Sequence, residues 1–170
     1  MQNNRFSSFD GKKKNLLHWI LELGAMVILL LIVFNVLVGV SRVSGDSMAP
    51  ELRDSQLVFY TRVGFDPQVG DKVFVVMPSG DKYLKRIVAT GGSQIDIEDG
   101  QVLIDGEAEA GSYISYVTET EMQSDLVKYP YVVEEGRFFI MGDNRAGSVD
   151  SRSFGSVSRS QIRGKIFLAI

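Results

Sequence analysis

The run Ser44-Gly45-Asp46-Ser47-Met48-Ala49-Pro50 sets a hydroxyl between a glycine and a proline. Gly45 permits a tight backbone conformation beside Ser47, and Pro50 stiffens the exit. A turn of this kind can expose a serine oxygen next to free backbone N–H groups, the arrangement an oxyanion hole needs. The same residues also suit an ordinary surface loop. A serine becomes a nucleophile only with a base beside it. The one histidine, His18, lies in the N-terminal segment, and the chain has no cysteine. Histidine is therefore unavailable as the base, and thiolate catalysis, disulfides and cysteine metal sites are excluded.

A lysine can serve as base if it is held uncharged. Further along the chain stand Lys72, Lys82, Lys85, Lys128 and Lys165. Alternation along a strand through Tyr83–Thr90 places Lys85 with Tyr83, Ile87 and Ala89, while Lys82 and Arg86 point the other way. Lys85 is thus the lysine expected among apolar groups, where desolvation favours the neutral amine. Half deprotonation near pH ~8 requires a drop of roughly 2–3 units from ~10.4, or about 3–4 kcal/mol. The bland alternative is a strand lysine snorkelling to water.

A third polar constellation, Gly142-Asp143-Asn144-Arg145-Ala146-Gly147-Ser148-Val149-Asp150-Ser151-Arg152-Ser153-Phe154-Gly155, follows the apolar run Arg137–Met141. It is too polar for a core. It can build a hydrogen-bonded network that supports a site, or it is a solvated loop. Its carboxylate spacing does not fit an EF-hand cation loop.

The elements that must position these groups divide the chain in two. From Leu23 to Val40 the residues are uncharged, with Asn35 the one polar amide, and at ~1.5 Å per residue they span a bilayer's hydrocarbon core. Leu16–Glu22 lengthens the run, with His18 and Trp19 at headgroup level and Glu22 one turn after His18. The run exceeds a secretory h-region and no Ala-x-Ala site follows, so an uncleaved anchor is expected. Residues 1–22 carry a net charge of +2, which leaves −5 for the remainder of a chain whose total is −3. The cluster Lys12–Lys14 precedes the span, and the positive-inside rule leaves the N-terminus cytoplasmic. The expected division is a cytoplasmic segment 1–15, a transmembrane anchor 16–40 and an outer β-rich domain 41–170. Lys and Arg (18) nearly balance Asp and Glu (21), which argues against a nucleic-acid partner.

Beyond the span the pattern becomes strand-like. Gln56–Val63, Lys72–Met77, Tyr83–Thr90, Gln94–Glu98, Gln101–Asp105, Arg137–Met141 and Lys165–Ile170 are short, β-branched or aromatic, and bounded by turn residues. Asp99-Gly100 between IDIE and QVLI is a hairpin signal. With no convincing helix between the strands, the expected fold is mostly β, an antiparallel barrel or sandwich behind one N-terminal transmembrane helix. Gly106–Pro130 is polar and aperiodic and reads as a mobile excursion.

Taken together, three segments resemble the type I signal peptidase family. Ser44–Leu52 (SGDSMAPEL) resembles its nucleophile motif, Tyr83–Gly92 (YLKRIVATGG) its lysine motif, and Gly142–Gly155 its GDNR…S-x-DSR-x-FG motif. The order of the motifs and the preceding anchor also fit. The resemblance implies a β-rich bacterial cell-membrane protein crossing once, with an outward-facing Ser–Lys dyad and no metal or cofactor. It would remove signal peptides from exported precursors. By position, Ser47 would be the nucleophile and Lys85 its general base. Ser148 would orient the amine, Asp150 and Arg152 would form a supporting pair, and Asp143 would hold the last loop. The Ser47 N–H would donate to the oxyanion. Gly45 occupies the position at which some members add a second donor, and the source of that donor stays open. Val43, Met48, Leu52, Tyr83 and Leu84 match positions lining shallow apolar pockets, which would select signal peptides with small residues before the cleaved bond.

Two departures stand out. Glu51 replaces the usual threonine, and Ala146-Gly147 the usual Asp-Asn. A relative that serves surface-pilus assembly or secretion components by binding is the alternative, although retention of Ser47 and Lys85 favours the enzyme. A soluble self-cleaving repressor is disfavoured by the anchor and the lack of a DNA-binding segment.

Overall fold

The structure, a computed structural model, describes residues 7–111 and 126–170, with the side chains of the first helix described from Leu16 onward. Part of the excursion expected at Gly106–Pro130 therefore lies outside the described residues. The chain forms two units, a helix and the domain that begins at Val38.

Helix α1 runs Ser7–Leu37, and its Leu16–Leu37 portion has a mean hydropathy of 2.7 with no residue buried against protein. At ~1.5 Å per residue it is long enough to cross a bilayer. His18 Nε2 lies 3.1 Å from Glu22 Oε1 one turn away. The helix stops short of the expected Val40. Val38–Arg42 is instead strand β1, paired from Val38↔Thr61 to Arg42↔Leu57 with β2 (Leu57–Thr61). The β-branched Val-Gly-Val sequence suits a strand better than a helix end, and a partner strand is available to take it.

The domain is built from antiparallel strands in two sheets. After β1 and β2 come β3 (Lys72–Val76), β4 (Lys82–Thr90), β5 (Gln94–Glu98), β6 (Gln101–Ile104), β7 (Glu107–Ala108), β8 (Tyr131–Val132), β9 (Arg137–Met141), β10 (Val157–Ser158) and β11 (Ile162–Ala169). The larger sheet has the order β1-β2-β11-β3-β4-β9-β10 and the smaller β7-β6-β5-β8. The Asp99-Gly100 turn closes β5 onto β6 with both residues at positive φ (47° and 75°), as a two-residue hairpin loop demands. A four-residue helix, α2 (Ser151–Phe154), interrupts the polar segment after β9.

Three apolar clusters hold these layers. Val58, Tyr60, Phe74 and Ile166 receive Val43, Met48 and Leu52 from the serine loop. Val73, Val75, Ile87, Phe138, Ile140, Val157 and Ile162 form the centre. Val88, Ala89, Phe139 and Met141 meet Ile95 and Val102 of the small sheet. Strand β4 joins the last two clusters through a bulge between Ile87 and Ala89. The bulge breaks the simple alternation, so Ala89 does not continue the row of Lys85 and Ile87.

Tyr60 explains two glycines. A Cβ on Gly39 would lie 2.1 Å from the Tyr60 ring. One on Gly164 would lie 2.3 Å from Tyr60 Cδ2 and 2.6 Å from the Thr61 carbonyl oxygen. The backbone oxygen cannot swing aside, so Gly164→Ala should destabilise the domain by about 1–3 kcal/mol through overpacking. A lowered heat-unfolding midpoint of the full chain in detergent checks this, and an unchanged midpoint would count against the packing described.

Candidate active site

Ser47 sits in the loop between β1 and β2, and three features fold that loop onto the sheet. Met48 and Leu52 are buried in the first apolar cluster. Gly45 takes φ +79°, and its N–H donates to Asp54 Oδ1 at 2.7 Å. Asn144, from the polar segment, donates through its backbone N–H to the Ser47 carbonyl (3.1 Å) and through Nδ2 to that of Asp46 (3.2 Å). The serine is therefore gripped from both sides by backbone and amide contacts.

Lys85 arrives from β4 opposite Val73 of β3, with only 2% of its surface exposed. Its Nζ lies 2.7 Å from Ser47 Oγ and 5.5 Å from the centre of the Tyr83 ring. No carboxylate touches the amine among the described residues. Burial pushes its pKa down to about 8. The charge of Asp150 works against that shift, that of Arg152 with it, and that of Asp143 against it. A serine hydroxyl and an amine that is partly neutral at mild pH thus share a hydrogen-bonding distance.

Arg86, expected on the face of the strand opposite Lys85, is itself buried, with 5% of its surface exposed. It donates through Nε and Nη2 to Asp143 at 2.8 Å each, through Nη2 to Glu51 at 2.5 Å, and through Nη1 to the Gly70 carbonyl at 2.8 Å. The polar loops after β1 and β9 cover that face of the strand, so alternation separates the two residues without exposing either. Glu51 also takes Lys72 at 2.5 Å, and this bond, with the nearby Arg86 charge, lowers its carboxyl pKa despite partial burial. The residue that departs from the family pattern thus ties the serine loop to β3 and β4.

Asp150 caps α2, accepting from the Arg152 N–H at 3.2 Å, and its carboxylate takes Arg152 Nε and Nη2 at 2.9 Å each and the Gly142 N–H at 3.0 Å. Both residues are buried. Ser148 is also buried, but among the described residues its Oγ has no hydrogen-bond partner, Lys85 included. It lies against Gly142, where an added Cβ would meet Ser148 Oγ at 2.3 Å and the Ser47 carbonyl at 2.4 Å. Only glycine lets these groups approach so closely.

The Ser47 N–H has no partner among the described residues, whereas the Gly45 N–H is engaged by Asp54 and is not a free second donor. Of the five apolar positions, Val43, Met48, Leu52 and Leu84 come together in the first cluster. Tyr83 stands apart, stacked on Phe154 with ring centroids 5.8 Å apart. Arg145, read only as part of a polar run, is buried with Glu109 at 2.5 and 2.8 Å. Nothing in the spacing of two residues 36 positions apart signals this pair.

The lysine carries a stability consequence whose sign is fixed. Its folded pKa lies below the unfolded value, so the folded chain holds fewer protons between pH 8 and 10.5 and stability rises with pH across that window. At pH 7 both states are protonated and the cost of burying the charge is borne in full. Lys85→Met should therefore stabilise the domain at pH ~7 by about 1–3 kcal/mol and flatten its stability through the window. Unfolding midpoints across pH 7–9.5 check both, and a loss of stability at pH 7 would contradict the burial argument.

Similarity to known proteins extends over most of the chain. The family model described as signal peptidase, peptidase S26, matches residues 16–170. Signal peptidase IB of Staphylococcus aureus (strain Mu50 / ATCC 700699) is 28% identical over 169 residues, covering 91% of this chain and 88% of the relative. Signal peptidase I S of Bacillus subtilis (strain 168) is 30% identical over 162 residues with the same coverage. The crystal structure of a signal peptidase I from Enterococcus faecalis V583 superposes with a TM-score of 0.51 at 26% identity, covering 61% of this chain and 98% of that one. The chain belongs to the signal peptidase family, peptidase S26.

Proposed function

We propose that this protein is a membrane-anchored serine endopeptidase that removes N-terminal signal peptides from exported precursors, with Ser47 as nucleophile and Lys85 as general base. The observation that carries the reading is the 2.7 Å separation of Lys85 Nζ from Ser47 Oγ around an amine whose pKa falls to about 8. In the neutral form Lys85 accepts the Ser47 proton as Oγ attacks the scissile carbonyl. The Ser47 N–H donates to the oxyanion that forms. The ammonium then returns its proton to the departing amine, leaving an ester on Ser47. Water attacks that ester as Lys85 takes its proton, and the ammonium then returns that proton to Ser47 Oγ as the new carboxyl product leaves.

The surrounding residues take supporting roles. Asp150 and Arg152 hold the polar loop, and Asp143 fixes it to β4 through Arg86. Ser148, buried beside Gly142 with no partner among the described residues, orients the amine once substrate occupies the cleft. Val43, Met48, Leu52, Leu84 and Tyr83 shape apolar pockets for small side chains before the cleaved bond. Residues 16–40 carry the anchor, including the first residues of β1, and Lys12–Lys14 keep segment 1–15 cytoplasmic. The domain 41–170 then faces outward from the cell membrane, where precursors emerge.

Cleavage of a secretory precursor by the purified full chain in detergent tests this. Ser47→Ala and Lys85→Arg should each lower kcat by on the order of 10⁴ or more, with no further loss in the double variant, because the two act as one unit. Wild-type kcat/KM should rise with pH through about 8 as the amine loses its proton. Retained cleavage in Ser47→Ala would overturn the dyad. Full rescue of a deletion strain by Ser47→Ala would point to the binding role in pilus assembly or secretion.

A further inference from the structure

Away from Ser47, a cavity of about 750 Å³ opens between β2, β3 and the chain leading into β11. Its floor is the stacked pair Tyr60 and Phe74, with centroids 4.7 Å apart, and its walls carry Arg62, Arg159, Arg163 and Ser160. Three guanidinium groups around one concavity repel one another. Among the described residues none has a carboxylate within ion-pairing distance. In a chain of net charge −3, such clustering is not a by-product of a basic composition.

Two of the arginines are also held in place. Arg159 donates to the carbonyls of Ile162 and Phe65 at 3.1 Å each and lies 4.5 Å from the centre of the Phe65 ring. Arg62 stands 5.8 Å over the Tyr60 ring. Aromatic faces and carbonyls use part of each guanidinium and leave N–H groups for an oxyanion, at little further cost in side-chain entropy. Planar forks converging on one space suit a phosphate.

The place of the cavity along the chain narrows the source of that phosphate. Thr61, next to Arg62, is the register partner of Val38, the residue that follows the apolar helix. On β1 and β11, the two strands paired with β2, Val40, Phe167 and Leu168 expose apolar side chains. A site so close in the chain to the end of a membrane span lies within reach of lipid headgroups.

We propose that Arg62, Arg159 and Arg163, with Ser160, form a site for the phosphate of an anionic phospholipid headgroup. The assignment rests on the helix being the membrane anchor and not on the proteolytic reading, so its test does not use cleavage. The full chain in uncharged detergent is titrated with short-chain phosphatidylglycerol, short-chain phosphatidylcholine or inorganic phosphate, and its heat-unfolding midpoint is followed. Phosphatidylglycerol should raise the midpoint with the logarithm of its concentration above Kd, by about 3 °C or more near 100-fold over Kd. The other two should not. Arg62→Gln with Arg163→Gln, both exposed, should unfold at the wild-type midpoint without ligand and lose the response. An equal rise with phosphatidylcholine, or in the double variant, would overturn the site. An equal rise with inorganic phosphate would overturn its assignment to lipid. Detergent phase partition tests the anchor separately.

Discussion

A lysine buried with no carboxylate against its amine among the described residues is the condition on which the rest of the domain depends. Taking an ammonium out of water is unfavourable, and a fold ordinarily avoids this by pairing or exposing the group. Here Lys85 is 2% exposed, and its nearest polar contact is a neutral serine oxygen. The domain therefore has to hold the lysine in by other means. Strand β4 does so by lying inside the larger sheet, with β3 on one side and β9 on the other.

Two buried ion pairs keep the amine's surroundings in place without neutralising it. Asp143 is paired with Arg86, which Glu51 shares, and Asp150 with Arg152, so each of the two buried carboxylates has a guanidinium against it. The opposing influences of Asp150 and Arg152 on Lys85 partly cancel, which leaves desolvation as the main cause of its lowered pKa. The same residues place the serine. Asp143 draws the segment after β9 onto β4, Asn144 from that segment holds the Ser47 and Asp46 carbonyls, and Glu51 ties the far end of the serine loop to Lys72 and Arg86. Breaking one buried pair would leave a charge without its partner and loosen both loops, an effect larger than the net worth of the pair.

How much of this was legible in the sequence depended on the kind of signal. The antiparallel β domain followed from short β-branched runs, and Asp99-Gly100 from its need for positive φ, because strand period and turn chemistry are local. Ser47 and Lys85 were singled out by the lack of a usable histidine and by motif resemblance, and the structure sets the two side chains 2.7 Å apart. Long-range pairing left no local trace. Alternation put Arg86 opposite Lys85, but its burial comes from loops dozens of residues away in either direction. The Arg145–Glu109 pair and the engagement of Gly45 by Asp54 were equally hidden. The boundary at Leu37 escaped because Val38–Val40 is apolar enough for a span, and only the partner strand β2 makes it a strand.

Burial is the main cause that brings this amine toward neutrality at mild pH, and direct titration of the amine tests this most closely. Heteronuclear NMR of lysine Cε and Nζ resonances in the full chain in detergent, with the Lys85 signal assigned by its loss in Lys85→Met, would follow that one group across pH 6–11. Lys85 should titrate with a midpoint of about 8, lowered from the ordinary lysine value by burial. A midpoint near 10.5, the ordinary lysine value, would contradict it.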